Sequence, residues 1–205
     1  MRLYVESNFI VEVTLEQEQA VACDRLLLLA EQSILELVIP AYAIMESLEA
    51  VVRRLSTFDD VEKRLSNMLS QVGRNAALTT EANNLRGLAT RVRQSAVDSH
   101  DKVIARTLRC ARILPLDKAT LDRADELRHL LSIKLPDAVM LAGVDADLAA
   151  SPPAGRALFA NRNAKDFDDP ETRRRLENQR CQVITNFETA LAKVEADLRP
   201  PGTPP

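Results

Sequence analysis

Apolar positions along the chain alternate between two spacings. Short runs of four or five apolar residues bounded by Pro, Asp, Asn or Gly predict strands, and longer segments with apolar residues three and four apart predict helices. Strands are expected at residues 2–5, 35–39, 113–116, 157–160 and 182–185. Thr14 and Gln17 have the spacing of a capping box, which predicts a helix from there to about residue 33. Beyond Pro40, a helix is expected with Ile44, Leu48, Val51, Val52 and Leu55 on its packed stripe. Two further helices follow at about 59–71 and 80–109, with Gly73 at the break. Asp117 is placed to cap a helix bearing Leu121, Ala124, Leu127 and Leu131. Pro136 opens another, ending near residue 150. Asp169 and Pro170 form a cap followed by a first-turn proline, and Asn186 caps a last helix.

Strands separated by helices call for a parallel sheet covered on both faces, an α/β architecture of about five strands. In such sheets chemistry collects beyond the carboxyl ends of the strands. Four acids stand there. Glu6 ends the first strand, Glu46 lies on the helix entered after the second, Asp137 sits in the first turn after Pro136, and Asp166 follows the fourth strand. Carboxylates gathered in one pocket cannot all stay ionised without a cation between them. Oxygen-only ligands suit Mg²⁺ or Mn²⁺ and argue against zinc. Such ions suit phosphodiester hydrolysis. The chain has no GxGxxG or P-loop motif, no GxSxG elbow and no HExxH pair. His100 and His129 fall on expected helices without metal spacing and read as surface residues.

Composition narrows the class. The chain has 205 residues, 46% hydrophobic and 28% charged, enough apolar material for one folded domain. No apolar run approaches the ~20 residues of a membrane span, and the first residues lack the layout of a signal peptide. Three scattered cysteines indicate neither a disulfide framework nor a zinc site. The expectation is a cytoplasmic protein that uses no membrane. The formal net charge of −3 conceals an asymmetry: residues 53–112 hold 12 basic and 6 acidic residues. Arg53, Arg54, Arg91 and Arg93 in this segment are candidates for gripping a polyanion. The alternative is a solvated helix pair with incidental arginine enrichment.

Four segments carry a resemblance. Tyr4-Val5-Glu6-Ser7-Asn8-Phe9-Ile10 is similar to the opening strand–acid–hydroxyl–Asn segment of the PIN domain, a nuclease fold found in bacterial toxins of toxin–antitoxin pairs and in RNA-processing enzymes. Ile39-Pro40 followed by Glu46 resembles its second segment. Ile113-Leu114-Pro115-Leu116-Asp117, then Leu135-Pro136-Asp137-Ala138, resembles the third, and Asn161-Arg162-Asn163-Ala164-Lys165-Asp166-Phe167 the fourth. The resemblance implies a three-layer PIN-like domain over residues 1–198, here carrying a helical insertion at about 56–111; the tail at 199–205 reads as disordered from its Pro-rich composition. It implies Glu6, Glu46, Asp137 and Asp166 as metal-binding and catalytic acids, with Ser7, Asn8, Asn161 and Asn163 as supporting donors. It also implies a Mg²⁺- or Mn²⁺-dependent ribonuclease that acts on RNA, forms a homodimer and, as a toxin, is held by an antitoxin. Three features depart from the family: Glu6 stands where Asp is usual, Asn161 replaces a hydroxyl residue, and the region between Glu46 and Ile113 is longer than a compact PIN toxin needs. That helical insertion reads either as an arm that grips RNA or a partner, or as packing against a dimer mate. Glu6 favours an alternative, a degenerate PIN-like protein that binds RNA or a protein partner without cutting.

Overall fold

The structure is a computed structural model that describes residues 1–72, 79–162, 167 and 169–199; for 57–62, 65–66, 69, 71–72, 79–83 and 85–90 the main chain alone is described. Asn163, Asp166, Gly73 and residues 200–205 lie outside the described residues.

Five parallel strands form one sheet: β1 (Arg2–Val5), β2 (Glu36–Pro40), β3 (Arg112–Leu114), β4 (Ala157–Ala160) and β5 (Cys181–Ile184). Their order is β3-β2-β1-β4-β5. Eight helices among the described residues surround it: α1 (Ser7–Thr14), α2 (Ala20–Glu31), α3 (Ala41–Val72), α4 (Thr79–Cys110), α5 (Lys118–Leu131), α6 (Leu135–Ala150), α7 (Pro170–Glu177) and α8 (Phe187–Leu198). Helices α1, α2, α3 and α4 pack together, α8 packs on α2, and α5 packs on α6. Asp145 of α6 pairs with Arg175 of α7 at 2.6 Å, tying these two helices together. No helix among the described residues is long and apolar enough to cross a membrane.

The sheet forms where the apolar runs predicted it, because a parallel strand buried on both faces is apolar throughout. Every residue of β1 and of β4 is buried. Their ladder pairs Val5 with Ala160, so Glu6 and Asn161 leave the sheet side by side. The sheet's amino edge is closed by charge. Arg2 pairs with Glu36 at 2.8 Å and donates to the Ser151 carbonyl at 2.6 Å, while the Tyr4 hydroxyl donates to Asp147 at 2.6 Å. Arg112 of β3 joins Glu36 and Asp147, so β1, β2, β3 and the end of α6 share one ion-paired network.

Four local expectations fail. Thr14 ends α1 instead of capping a helix, and α2 begins at Ala20 after Gln19, which makes no side-chain cap. Gln19 is committed elsewhere: its amide oxygen accepts from the Phe187 N–H at 2.6 Å, holding the start of α8. The segments expected as separate helices after Pro40 are one continuous α3 of 32 residues. Its expected stripe is only half packed: Val51 and Leu55 are buried with Val11 and Ala96, whereas Leu48 and Val52 are exposed. His129 is exposed, but His100 is buried against Ser47 of α3 at 3.2 Å, and burial lowers its pKa. The caps Asp117, Asp169 and Asn186 stand as expected, each accepting from main-chain N–H groups.

Candidate active site

The chain proceeds from β1 outward to β2 and β3, then returns past β1 to β4 and β5. The order therefore reverses between β1 and β4. A crevice opens at such a reversal beyond the strands' carboxyl ends. Glu6 and Asn161 are the residues that enter it.

Glu6 is the N-cap of α1, with its Oε2 accepting from the Asn8 N–H at 3.0 Å. This explains why a helix follows β1 at once: the carboxylate satisfies an otherwise orphaned amide and favours the positive helix end. Glu6 Oε2 also lies 3.0 Å from Ser7 Oγ, and its Oε1 faces the Arg162 N–H at 3.4 Å. Ser7 Oγ is in turn 2.6 Å from Glu46 Oε2. The carboxylates of β1 and α3 thus meet across one hydroxyl.

A hydroxyl has one proton to donate. Ser7 cannot serve Glu6 and Glu46 at once, so with both acids ionised one contact sets an oxygen lone pair against a carboxylate. Glu6 is buried, and burial pushes its pKa above the ordinary glutamate range, against the opposing pull of hydrogen bonds from Asn8, Ser7 and the Arg162 main chain. The pair is built to take up a positive charge, either a proton or a cation.

Asp137 stands in the first turn of α6, behind Pro136, as the sequence predicts. The Tyr42 hydroxyl has a raised pKa, through burial first and then through the charges of Glu46, Glu49 and Asp137. Those three carboxylates therefore act on one point of the rim. Asn161 is fully buried, and both atoms of its amide have no hydrogen-bond partner among the described residues. Asn163 and Asp166 lie outside the described residues. Among the described residues no group of three or more His, Cys, Asp or Glu is close enough to hold a metal ion. What comes together is the Glu6–Ser7–Glu46 bridge, with Asp137 on the same rim.

The sequence did not reveal a second carboxylate beneath this rim. Glu12 of α1 is buried and ion-paired with Arg162, which also reaches Glu18 at 3.3 Å. An acid interrupting the apolar run Phe9-Ile10-Val11-Glu12-Val13 is the signal that could have found it. Beside it lies an open cleft of about 660 Å³ bordered by Asn8, Glu12, Glu16, Glu18, Arg54 and Arg162. Arg91 borders an adjoining groove, which also meets Glu16. Of the arginines singled out by charge, Arg54 and Arg91 thus face open grooves near the rim, while Arg53 and Arg93 have interaction partners. Comparison with family models, with curated proteins and with solved structures finds no match for this chain.

Proposed function

We propose that this chain is a Mg²⁺- or Mn²⁺-dependent endoribonuclease of PIN type, acting as the toxin of a toxin–antitoxin pair. The convergence of Glu6, Ser7 and Glu46 at the topological reversal of the sheet carries the proposal. It is supported by Asp137 on the same rim and by the buried Glu6 carboxylate, whose hydrogen-bond partners among the described residues are Ser7, Asn8 and the Arg162 main chain. The donors are all hard oxygens, which fit Mg²⁺ or Mn²⁺ and not zinc. Glu6, Glu46 and Asp137 would hold the ion, which supplies hydroxide from bound water and neutralises charge on a phosphodiester. Ser7 fixes the two glutamates relative to each other, and Arg54 and Arg91 supply positive charge along the grooves leading to the rim. Asp166, homodimerisation and an antitoxin partner belong to the same proposal on the strength of the sequence resemblance alone.

A second reading has one specific observation in its favour. The described acids do not gather in a group of three, and Glu6 already serves as a helix cap. A non-cutting RNA- or protein-binding role is consistent with that.

Incubating purified protein with an end-labelled structured RNA in Mn²⁺, Mg²⁺ or EDTA, beside an Asp137→Asn variant, separates the two. Metal-dependent cutting that the folded variant loses by at least a hundredfold supports the nuclease. Folded wild-type protein that binds the RNA but leaves it intact in every metal overturns it. Growth arrest on expression, relieved by co-expressing the adjacent gene, distinguishes a toxin from a housekeeping nuclease.

A further inference from the structure

At the amino edge of the sheet, across from the acidic rim, β4 and β5 begin beside an open cavity of about 540 Å³ bordered by Gly155, Arg156, Glu177, Arg180, Gln182 and Lys193. Ala157 pairs with Cys181 in the parallel ladder, and the Ala157 N–H donates to the Arg180 carbonyl at 3.0 Å. Arg156 and Arg180 therefore immediately precede two neighbouring strands, and adjacent strands run only ~4.8 Å apart. Like charges at neighbouring sheet positions repel. Lys193 of α8 adds a third cation to the same cavity.

Several arginines elsewhere are held by carboxylates. Arg2, Arg106, Arg112, Arg162 and Arg175 each pair with a carboxylate, in a protein with more acidic residues than basic ones. Arg156, Arg180 and Lys193 make no side-chain hydrogen bond or ion pair among the described residues. Among the described residues Glu177 is the one carboxylate that borders the cavity. The carboxyl end of α7 adds about half a negative charge there, so more than one positive charge remains in excess. Arg180 moreover holds a left-handed backbone, φ 59°, where glycine or asparagine is the unstrained choice. A Cβ built on Gly155 would meet nothing within 4 Å, which leaves room beside the Arg156 main chain.

We propose that the cavity bordered by Arg156, Arg180 and Lys193 is a binding site for a phosphate group. Two guanidinium forks and one ammonium offer donors on several sides, matching the tetrahedral acceptors of phosphate better than a planar carboxylate. The cavity is large enough for a mononucleotide. The same chemistry suits a phosphate monoester, free or on a nucleotide, and the phosphodiester backbone of RNA.

Three probes distinguish the sources in calorimetric titrations of the full chain at fixed ionic strength: inorganic phosphate, adenosine 5′-monophosphate, and a short unstructured RNA without terminal phosphates. Each is titrated into wild type, Arg156→Gln, Arg180→Gly and Lys193→Gln. Arg180→Gly removes the cation and relaxes the left-handed backbone, so a folding defect cannot explain lost binding; unfolding midpoints verify this. For the physiological source, affinity falls at least tenfold in each arginine variant and several-fold in Lys193→Gln. A drop for inorganic phosphate and the nucleotide assigns a monoester site, and a drop for the RNA assigns a backbone site. Affinities within twofold of wild type for all three probes, or no binding by wild type, overturn the proposal. None of these readouts depends on RNA cleavage.

Discussion

Replacing Glu6 by Gln keeps the side chain's length and its acceptor for the Asn8 N–H, and removes its charge. In the wild type, burial raises the Glu6 pKa above its ordinary value of 4.5. Between 4.5 and that raised value the folded chain holds a proton that the unfolded chain has released. The stabilisation linked to this proton is fully present below pH 4.5 and is lost as pH rises through the folded value. The slope across that window reaches about 1.4 kcal/mol per pH unit. For a chain of this length that equals about 3–6 °C in melting temperature per pH unit. Glu6→Gln has no such term, so its stability relative to wild type should rise as pH increases above 4.5, then level off. Urea unfolding of both proteins in chelator-containing buffers from pH 4 to 8 measures this. Parallel pH profiles, with a constant difference from 4.5 to 8, would show that burial does not govern the group. Millimolar Mn²⁺ should restore wild-type stability at the alkaline end and leave Glu6→Gln unaffected, as expected of a cation taking the proton's place.

Three other outcomes follow from the same geometry. Ser7→Ala removes the hydroxyl between Glu6 and Glu46 and should cost about 1–3 kcal/mol near pH 7 in chemical denaturation; a loss below about 0.3 kcal/mol would contradict the bridge. Tyr4→Phe deletes the 2.6 Å bond to Asp147 and should lower stability by about 1–2 kcal/mol, and an unchanged midpoint would count against the amino-edge network. Asp169→Ala removes the α7 cap, which accepts from the N–H groups of Glu171 and Thr172. It should cost about 1 kcal/mol, with faster amide hydrogen exchange confined to the first turn of α7; uniform exchange would refute a local role.

The elements legible in the sequence are those whose local chemistry has no competitor. β1 and β4 match their expected bounds because each is a short apolar run, three residues behind Arg2 in β1 and four in β4, ended by a polar residue, and β2 and β5 shift by one residue. Asp169 next to Pro170 fixes a helix start whatever surrounds it. Thr14 and Gln17 have the right spacing for a cap, but the helix already begun by Glu6 includes Thr14. An eight-residue helix shows barely two turns of periodicity, so Phe9-Ile10-Val11 gave no sign of it. Glu6 and Glu46 were legible as site residues from their position after strands. Their link through Ser7 was not, because it depends on the angle at which α3 leaves β2. The Glu12–Arg162 and Ser47–His100 pairs were hidden because each joins segments more than 50 positions apart: the first depends on β1 and β4 being neighbours, the second on α4 packing against α3.

Glu46 sits near the start of α3, whose 32 residues form one unbroken helix. At about 1.5 Å per residue such a rod is about 48 Å long. It behaves as a lever with the carboxylate beside its fulcrum, where Val51 and Leu55 clamp it to α1 and α4. From Val51 the far end of α3 is about 32 Å away and Glu46 about 7.5 Å, so moving the far end by about 4 Å tilts the rod by about 7° and displaces the helix at Glu46 by about 1 Å. A carboxylate pair spanned by a single hydroxyl registers displacements of that size, since a 2.6 Å contact lengthened by that amount is no longer a hydrogen bond. A displacement at the far end of α3 would thus reach the acids reduced about fourfold, as a change in their spacing.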